Sequence, residues 1–124
     1  MSELFDKGKA IRAEVMGQRF VDDAFANADE FSLPMQEWVT EYCWGGIWGR
    51  PDLDRRSRSI LNVGMLAALN RPDELAAHIR GAIANGLTKA EIRECLLQVA
   101  VYVGMPAGMA SFRIAKKVFE EMGI

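Results

Sequence analysis

Apolar residues recur at intervals of three and four along most of this chain, which is the spacing of one face of an α-helix. The clearest example covers residues 74–106, where two such stretches are separated by Asn85-Gly86. An Asn-Gly pair favours the left-handed conformation that ends a helix, and Thr88 with Glu91 forms a capping-box sequence that begins the next one. We therefore predict two helices joined by a tight turn, with His78, the single histidine, at the edge of the first apolar face.

The remaining sequence is predicted to be helical as well. Helices are expected over residues 4–16, 22–28, 55–69 and 107–122, another begins near Pro34, and the pair described above covers residues 72–86 and 88–103. Residues 45–53 contain three glycines and a proline, which predicts a loop. No segment alternates as a strand does, so the predicted fold class is all-α, a single-domain helical bundle over residues 1–124.

Most of the predicted helices have an apolar face, and in the first helix the lysines and arginines lie opposite it. In chain order, these faces consist of Leu4, Gly8, Ile11 and Val15, then Met35, Trp38, Val39 and Tyr42, then Ile60, Leu61, Gly64, Met65 and Ala68, then Leu75, Ile79, Ala82 and Ile83, then Ile92, Leu96, Val99 and Val103, and finally Phe112, Ala115 and Phe119.

Two of these helices are apolar on nearly every side, over residues 60–69 and 96–105. Helices of this kind are buried all round. In so short a chain, a second copy covers such a surface more easily than the chain's own helices do, which predicts a homo-oligomer. The alternative is a monomer with a central helix pair.

Composition restricts the class of function. A chain of 124 residues with 50% hydrophobic residues and a net charge of -2 is predicted to be a soluble globular protein, with neither nucleic acid nor a membrane as its partner. Cys43 and Cys95 lie far apart, which argues against a zinc site, a dithiol centre or a disulfide framework. The charged N-terminus and the absence of a long apolar run favour a cytoplasmic location.

The predicted loop combines aromatic and cationic side chains. Trp44, Trp48 and Arg50 lie on a glycine-rich frame, and Arg55, Arg56 and Arg58 follow. Arginine binds carboxylates with two parallel hydrogen bonds, and tryptophan excludes water, so this set suits a small planar anion. Tryptophans in the core and solvated arginines remain the structural alternative.

Residues 42–106 resemble the 4-carboxymuconolactone decarboxylase family. The resemblance rests on W-G-x-x-W-x-R-P-x-L-D-x-R-x-R-S from Trp44, E-L-x-x-H from Glu74, G-L-T-x-x-E-I-x-E from Gly86 and Y-x-G-x-P from Tyr102. It implies the all-α fold of alkylhydroperoxidase D-like proteins, a hexamer, and a carboxy-lyase that needs no cofactor or metal. Such enzymes convert 4-carboxymuconolactone, a small lactone carboxylate, to 3-oxoadipate enol-lactone in protocatechuate (β-ketoadipate) catabolism.

The same superfamily contains dithiol peroxidases with C-x-x-C-x-x-x-H. The two positions that correspond to their cysteines are Arg71 and Glu74 here, and neither can form a thiolate. Cys95 lies on an apolar stretch of another helix, where packing as a small hydrophobe explains it. Peroxide reduction by that route is therefore excluded.

The chemistry that the resemblance implies assigns roles to specific residues. His78 would deliver a proton to ring carbon after carbon dioxide leaves, because a group that titrates near neutrality suits that task. Arg50, with Arg58 as the second choice, would bind a substrate carboxylate or lie near the lactone oxygen. Trp44 and Trp48 would form walls around the ring.

Three further side chains complete the predicted site. Glu74, one helical turn before His78, and Glu94 are the candidates to orient the imidazole. Tyr102 would line the pocket, or fill the core. Two alternatives remain: a related enzyme that acts on another lactone or oxo acid, and a non-enzymatic oligomeric binding protein in which the helix pair only joins subunits.

Overall fold

The computed structural model describes residues 2–124, and within this range every regular element is a helix. The elements are α1 (Glu3–Met16), α2 (Gln18–Ala26), α3 (Leu33–Trp38), a π-helix π1 (Val39–Gly45), α4 (Arg55–Ala68), α5 (Pro72–Ala84), α6 (Lys89–Tyr102) and α7 (Met105–Met122). The all-α prediction is therefore confirmed. The helices form two compact units, over residues 1–54 and 55–124.

In the N-terminal unit, α1 packs against π1. Ser2 caps α1 by accepting a hydrogen bond from the amide of Phe5 at 3.0 Å. The predicted placement of every cation of α1 on its exposed side is wrong for Arg12, which is buried. Its guanidinium donates to Gln36 Oε1 at 2.9 Å and to Thr40 Oγ1 at 3.3 Å, so hydrogen bonds compensate for its lost hydration.

The close approach of α1 and π1 depends on two glycines. A Cβ on Gly8 would collide with the carbonyl oxygen of Thr40 and lie 2.7 Å from the amide nitrogen of Gly45. A Cβ on Gly45 would in turn collide with the carbonyl oxygen of Leu4. The two backbones therefore touch directly, and a larger residue at either position would separate them.

Two predictions for the N-terminal unit need correction. The second helix begins at Gln18 rather than at residue 22, because Gly17, with a φ of 100°, turns the chain directly from α1 into α2. The apolar face predicted for the third helix is largely exposed, with Met35, Trp38 and Tyr42 at 56%, 59% and 56% exposure. The three residues are hydrophobic, but they are not buried within the chain.

In the C-terminal unit, α4–α7 enclose a single apolar core. The capping box of Thr88 and Glu91 is confirmed, and so is the burial of Leu75, Ile79 and Ala82 on α5. The core consists of Val63, Ala67, Leu75, Ile79, Ala82, Leu87, Ile92, Leu96, Val99, Ala115 and Val118, with Phe112 and Phe119 against it.

The predicted inward face of α4 is wrong. Ile60, Leu61 and Met65 are exposed, and the smaller residues Ser59, Val63 and Ala67 face the core instead. Small residues on this face of α4 let α5 approach closely. At the end of α5, Asn85 Nδ2 donates a hydrogen bond to Ser59 Oγ at 2.8 Å. Within α6–α7, the predicted break at residues 104–106 is confirmed, because Gly104 has a φ of 141°. Val103, predicted to point inward, is 51% exposed at this break.

The helices give no indication of a membrane-spanning segment. Among residues 2–124, none of them combines the length and the apolar character that crossing a bilayer requires.

Candidate active site

His78 lies on α5 beside a polar residue of α4. The side chain of His78 is half-buried, and Asn62 Nδ2 lies 3.4 Å from His78 Nδ1. When the Asn62 amide donates this hydrogen bond, Nδ1 is the acceptor and a neutral imidazole carries its proton on Nε2. Asn62 is therefore positioned to orient the ring.

Two opposing influences act on the protonation of His78. Burial lowers the pKa of the imidazole below its ordinary value of 6.5, because a charged ring loses hydration there. The carboxylate of Glu74, one helical turn earlier, raises the pKa and partly offsets the effect of burial. The free protein therefore holds a neutral imidazole at pH 7, beside an anionic group that favours its protonation.

A catalytic role for His78 would give the reaction a characteristic pH dependence. If protonated His78 is the acid, kcat/KM is expected to fall as pH rises through the His78 pKa of the free protein, which lies below 6.5. If the substrate is an anion, it stabilises the imidazolium when bound, so kcat is then expected to fall at a higher pH than kcat/KM does. Initial rates between pH 5 and 9 check this, and two profiles that decline at the same pH contradict it.

The lowered pKa of His78 also makes the stability of the fold depend on pH. Because the folded-state pKa of His78 lies below its unfolded value, the unfolded chain binds more protons between the two pKa values. The free energy of unfolding therefore decreases as pH falls from the unfolded-state pKa to the folded-state pKa of His78. In urea unfolding, His78→Gln is expected to remove this contribution to the pH dependence.

Arg58 lies on the same side of the site as Asn62. The two residues are one helical turn apart on α4, and Arg58 is half-buried. The C-terminal unit thus carries an arginine and an amide on α4 and a carboxylate and an imidazole on α5. Of the two arginines predicted for the substrate, Arg58 is the one that shares a unit with His78.

The other predicted residues of this unit lie on α6. Glu94 is exposed, and its carboxylate accepts a hydrogen bond from Arg93 Nε at 3.1 Å. Tyr102, at the last position of α6, is 79% exposed. The alternative prediction, that Tyr102 fills the core of the chain, is therefore wrong. Nothing brings Glu94 or Tyr102 into a described contact with His78.

The predicted tryptophan walls belong to the core of the N-terminal unit. Trp44 and Trp48 are only 4% and 5% exposed, and their rings stack with centroids 4.7 Å apart. They pack with Ile11 and Val15 of α1. Arg50, two residues beyond Trp48, is exposed on the turn that follows. The stacked pair therefore supports the backbone that carries Arg50.

Asn62 is the residue that sequence reasoning did not identify. Its signal was its position as the single polar side chain in the otherwise apolar run over residues 60–69. A buried or half-buried polar group requires a hydrogen-bond partner, and the one histidine of the chain was available for that role.

Comparison with known proteins identifies the family. The model of the carboxymuconolactone decarboxylase family matches residues 34–117, and the chain belongs to this family. It is 43% identical to the nitrosuccinic acid decarboxylase of Metarhizium robertsii, over 96% of this chain and 83% of the relative. It is 37% identical to the 4-carboxymuconolactone decarboxylase of Acinetobacter baylyi, over 97% of this chain and 90% of the relative. Both relatives are decarboxylases, which supports carboxy-lyase activity.

Proposed function

We propose that this protein decarboxylates a succinate that carries an electron acceptor on carbon 2, with 4-carboxymuconolactone as its substrate. The observation that carries the proposal is the half-buried His78, held by Asn62 and next to Glu74, on a chain whose relatives are decarboxylases. Placement in protocatechuate catabolism, in the cytoplasm and in a hexamer belongs to the same proposal.

The acids named for the two relatives share one chemical frame. In 4-carboxymuconolactone, the ring carbon that carries the departing carboxylate also carries a carboxymethyl arm. Nitrosuccinic acid has the same arm, and one of its carboxylates lies on the carbon that bears the nitro group. Both acids are therefore 2-substituted succinates with an acceptor conjugated or attached to carbon 2. Nitrosuccinate is our second candidate substrate, because the relative that acts on it is 43% identical to this chain.

The reaction needs no external electron acceptor. The bond between carbon 2 and its carboxylate breaks, carbon dioxide leaves, and the electron pair moves into the lactone carbonyl through the ring alkene, or into the nitro group. A proton then adds to carbon. In the lactone it adds to the ring carbon next to the carbonyl, so the double bond moves to the carbon that lost the carboxylate, and in the nitro acid it adds to carbon 2. In this proposal His78 supplies the proton, while an arginine binds the carboxylate arm that remains.

Arg58 and Arg50 are the candidates for the arm. Replacing the arginine that binds it with lysine is expected to raise KM about tenfold with a smaller change in kcat, because a point charge cannot form two parallel hydrogen bonds. Arg19→Lys is the matched control, since the Arg19 side chain is 95% exposed on α2. Initial rates against substrate concentration measure the effect. Unchanged KM in both Arg58→Lys and Arg50→Lys would remove arginine from this role.

The substrate class is tested with purified protein and three acids. Carbon dioxide release is measured with 4-carboxymuconolactone, with nitrosuccinate and with methylsuccinate, which has the frame but lacks an acceptor. Turnover of one or both of the first two, and none of methylsuccinate, is the expected result. Absence of carbon dioxide from every acid at high enzyme concentration would leave a non-enzymatic binding protein as the better interpretation.

A further inference from the structure

A groove with an apolar floor and a cationic rim runs between α6 and α7. Its volume is about 430 Å³, and Leu96, Phe112 and Phe119 form part of its floor. Four cations line it, namely Lys89, Arg93, Arg113 and Lys116. The function proposed above uses none of these residues.

The cations of the rim are only partly neutralised. Lys89 Nζ lies 5.2 Å from the centroid of the Phe119 ring, and Arg93 pairs with Glu94. Within residues 2–124, Arg113 and Lys116 form no ion pair, and both are exposed. The groove therefore favours an occupant with an apolar group to bury and a carboxylate beside it.

The groove continues into a second apolar depression. This depression has a volume of about 350 Å³, and it shares Phe112 and Arg113 with the groove. Leu97, Met105 and Met109 line it, and each of them is at least 45% exposed. A continuous apolar surface with a charged rim is typical of a protein interface rather than of a site for a single small molecule.

The N-terminal unit presents a complementary turn, formed by residues 29–33. Phe31 is 93% exposed at this turn, directly after Asp29 and Glu30. The turn is fixed by its own hydrogen bonds, because Ser32 N donates to Asp29 Oδ1 at 2.9 Å and Asp29 N donates to Ser32 Oγ at 3.0 Å. Because the backbone of the turn is already fixed, presenting Phe31 to a partner requires little ordering of the chain.

We propose that the groove receives the Asp29–Phe31 turn of a second copy of this chain. Phe31 packs onto Phe112 and Phe119 of the other copy, and Glu30 faces the cations of the rim. An aromatic side chain in an apolar pocket with charges around it has the composition of an interface hot spot. Because the turn and the groove are different surfaces, the contact joins copies head to tail and produces a ring when the rotation closes.

Charge reversal tests this contact by sedimentation velocity over a range of protein concentrations. The wild-type protein is expected to assemble, while Phe31→Ala, Glu30→Lys and Lys116→Glu each raise the dissociation constant at least about tenfold. Lys117→Glu is the matched control, since it makes the same charge change at an exposed neighbour that does not line the groove. Circular dichroism confirms that each variant is folded.

A mixing experiment identifies the partner surfaces. An equimolar mixture of Glu30→Lys and Lys116→Glu chains is expected to restore assembly, because the reversed turn meets the reversed groove. A wild-type protein that stays monomeric, or variants that keep the wild-type mass, would overturn the proposal. If the variants keep that mass while Lys116→Glu alone fails to bind decanoate, the groove is a site for an anionic amphiphile and the proposal is wrong.

Discussion

Replacing His78 with glutamine is expected to lower kcat about 10²- to 10⁴-fold, the range that a positioned acid contributes. Glutamine has a similar size and can hydrogen-bond to Asn62, but it cannot exchange a proton near neutral pH. The fold is therefore retained while the chemistry is lost. Stopped-flow or steady-state rates with 4-carboxymuconolactone measure the change, and urea unfolding verifies that the variant is folded.

Asn62→Ala tests the same site with a smaller change. It leaves the imidazole in place but removes the group that orients it, so a smaller loss of kcat and a displaced pH profile are expected. A purely structural role for Asn62 would lower stability without moving the pH profile. Full activity in His78→Gln would show that another group supplies the proton.

Gly8→Ala is expected to have the largest effect on stability, a loss of about 3 kcal/mol. The added methyl group collides with the carbonyl oxygen of Thr40 and approaches the amide nitrogen of Gly45 to 2.7 Å. Both atoms belong to the backbone of π1, so α1 and π1 must separate to accommodate it. The urea midpoint measures the effect.

Gly64→Ala is the matched control for this change. It adds the same methyl group to a helix, but no atom of its surroundings lies within 4 Å of the new carbon. Alanine is favoured over glycine in a helix, so this variant is expected to gain about 0.5 to 1 kcal/mol. Equal stability of the two alanine variants would mean that α1 and π1 do not pack as described.

Local signals in the sequence were sufficient for most helix boundaries. The capping box of Thr88 and Glu91 and the break at Gly104 depend on neighbouring residues only, and both are found as predicted. π1 was not predicted, because its altered hydrogen bonding accompanies the close approach of Gly8, which is distant in sequence.

The direction of the apolar faces was harder to predict for a different reason. On α4 the larger apolar residues, such as Leu61 and Met65, lie outside, while Ser59 and Ala67 face the core. Periodicity identifies an apolar face, but it does not distinguish packing within the chain from packing against another copy. A homo-oligomer would cover this exposed surface, and it remains a prediction.

For the candidate site, the sequence already places Glu74 one helical turn before His78, and in the structure its carboxylate raises the pKa of the imidazole. The roles of both residues in catalysis stay predictions. Asn62 could be found only once α4 and α5 were placed side by side, since the two residues are 16 positions apart. The stacking of Trp44 on Trp48 could not be predicted either, because the same sequence pattern suits tryptophans that line a ligand site.

Delivery of a proton by the enzyme after carbon dioxide leaves is tested most directly in heavy water. The wild-type protein is mixed with 4-carboxymuconolactone in D₂O, and the product is examined by NMR before it exchanges with solvent. One equivalent of carbon dioxide is expected, with one deuterium on a single face of the ring carbon next to the lactone carbonyl, because a fixed acid reaches only that face. No carbon dioxide, or deuterium distributed equally over both faces, would contradict it.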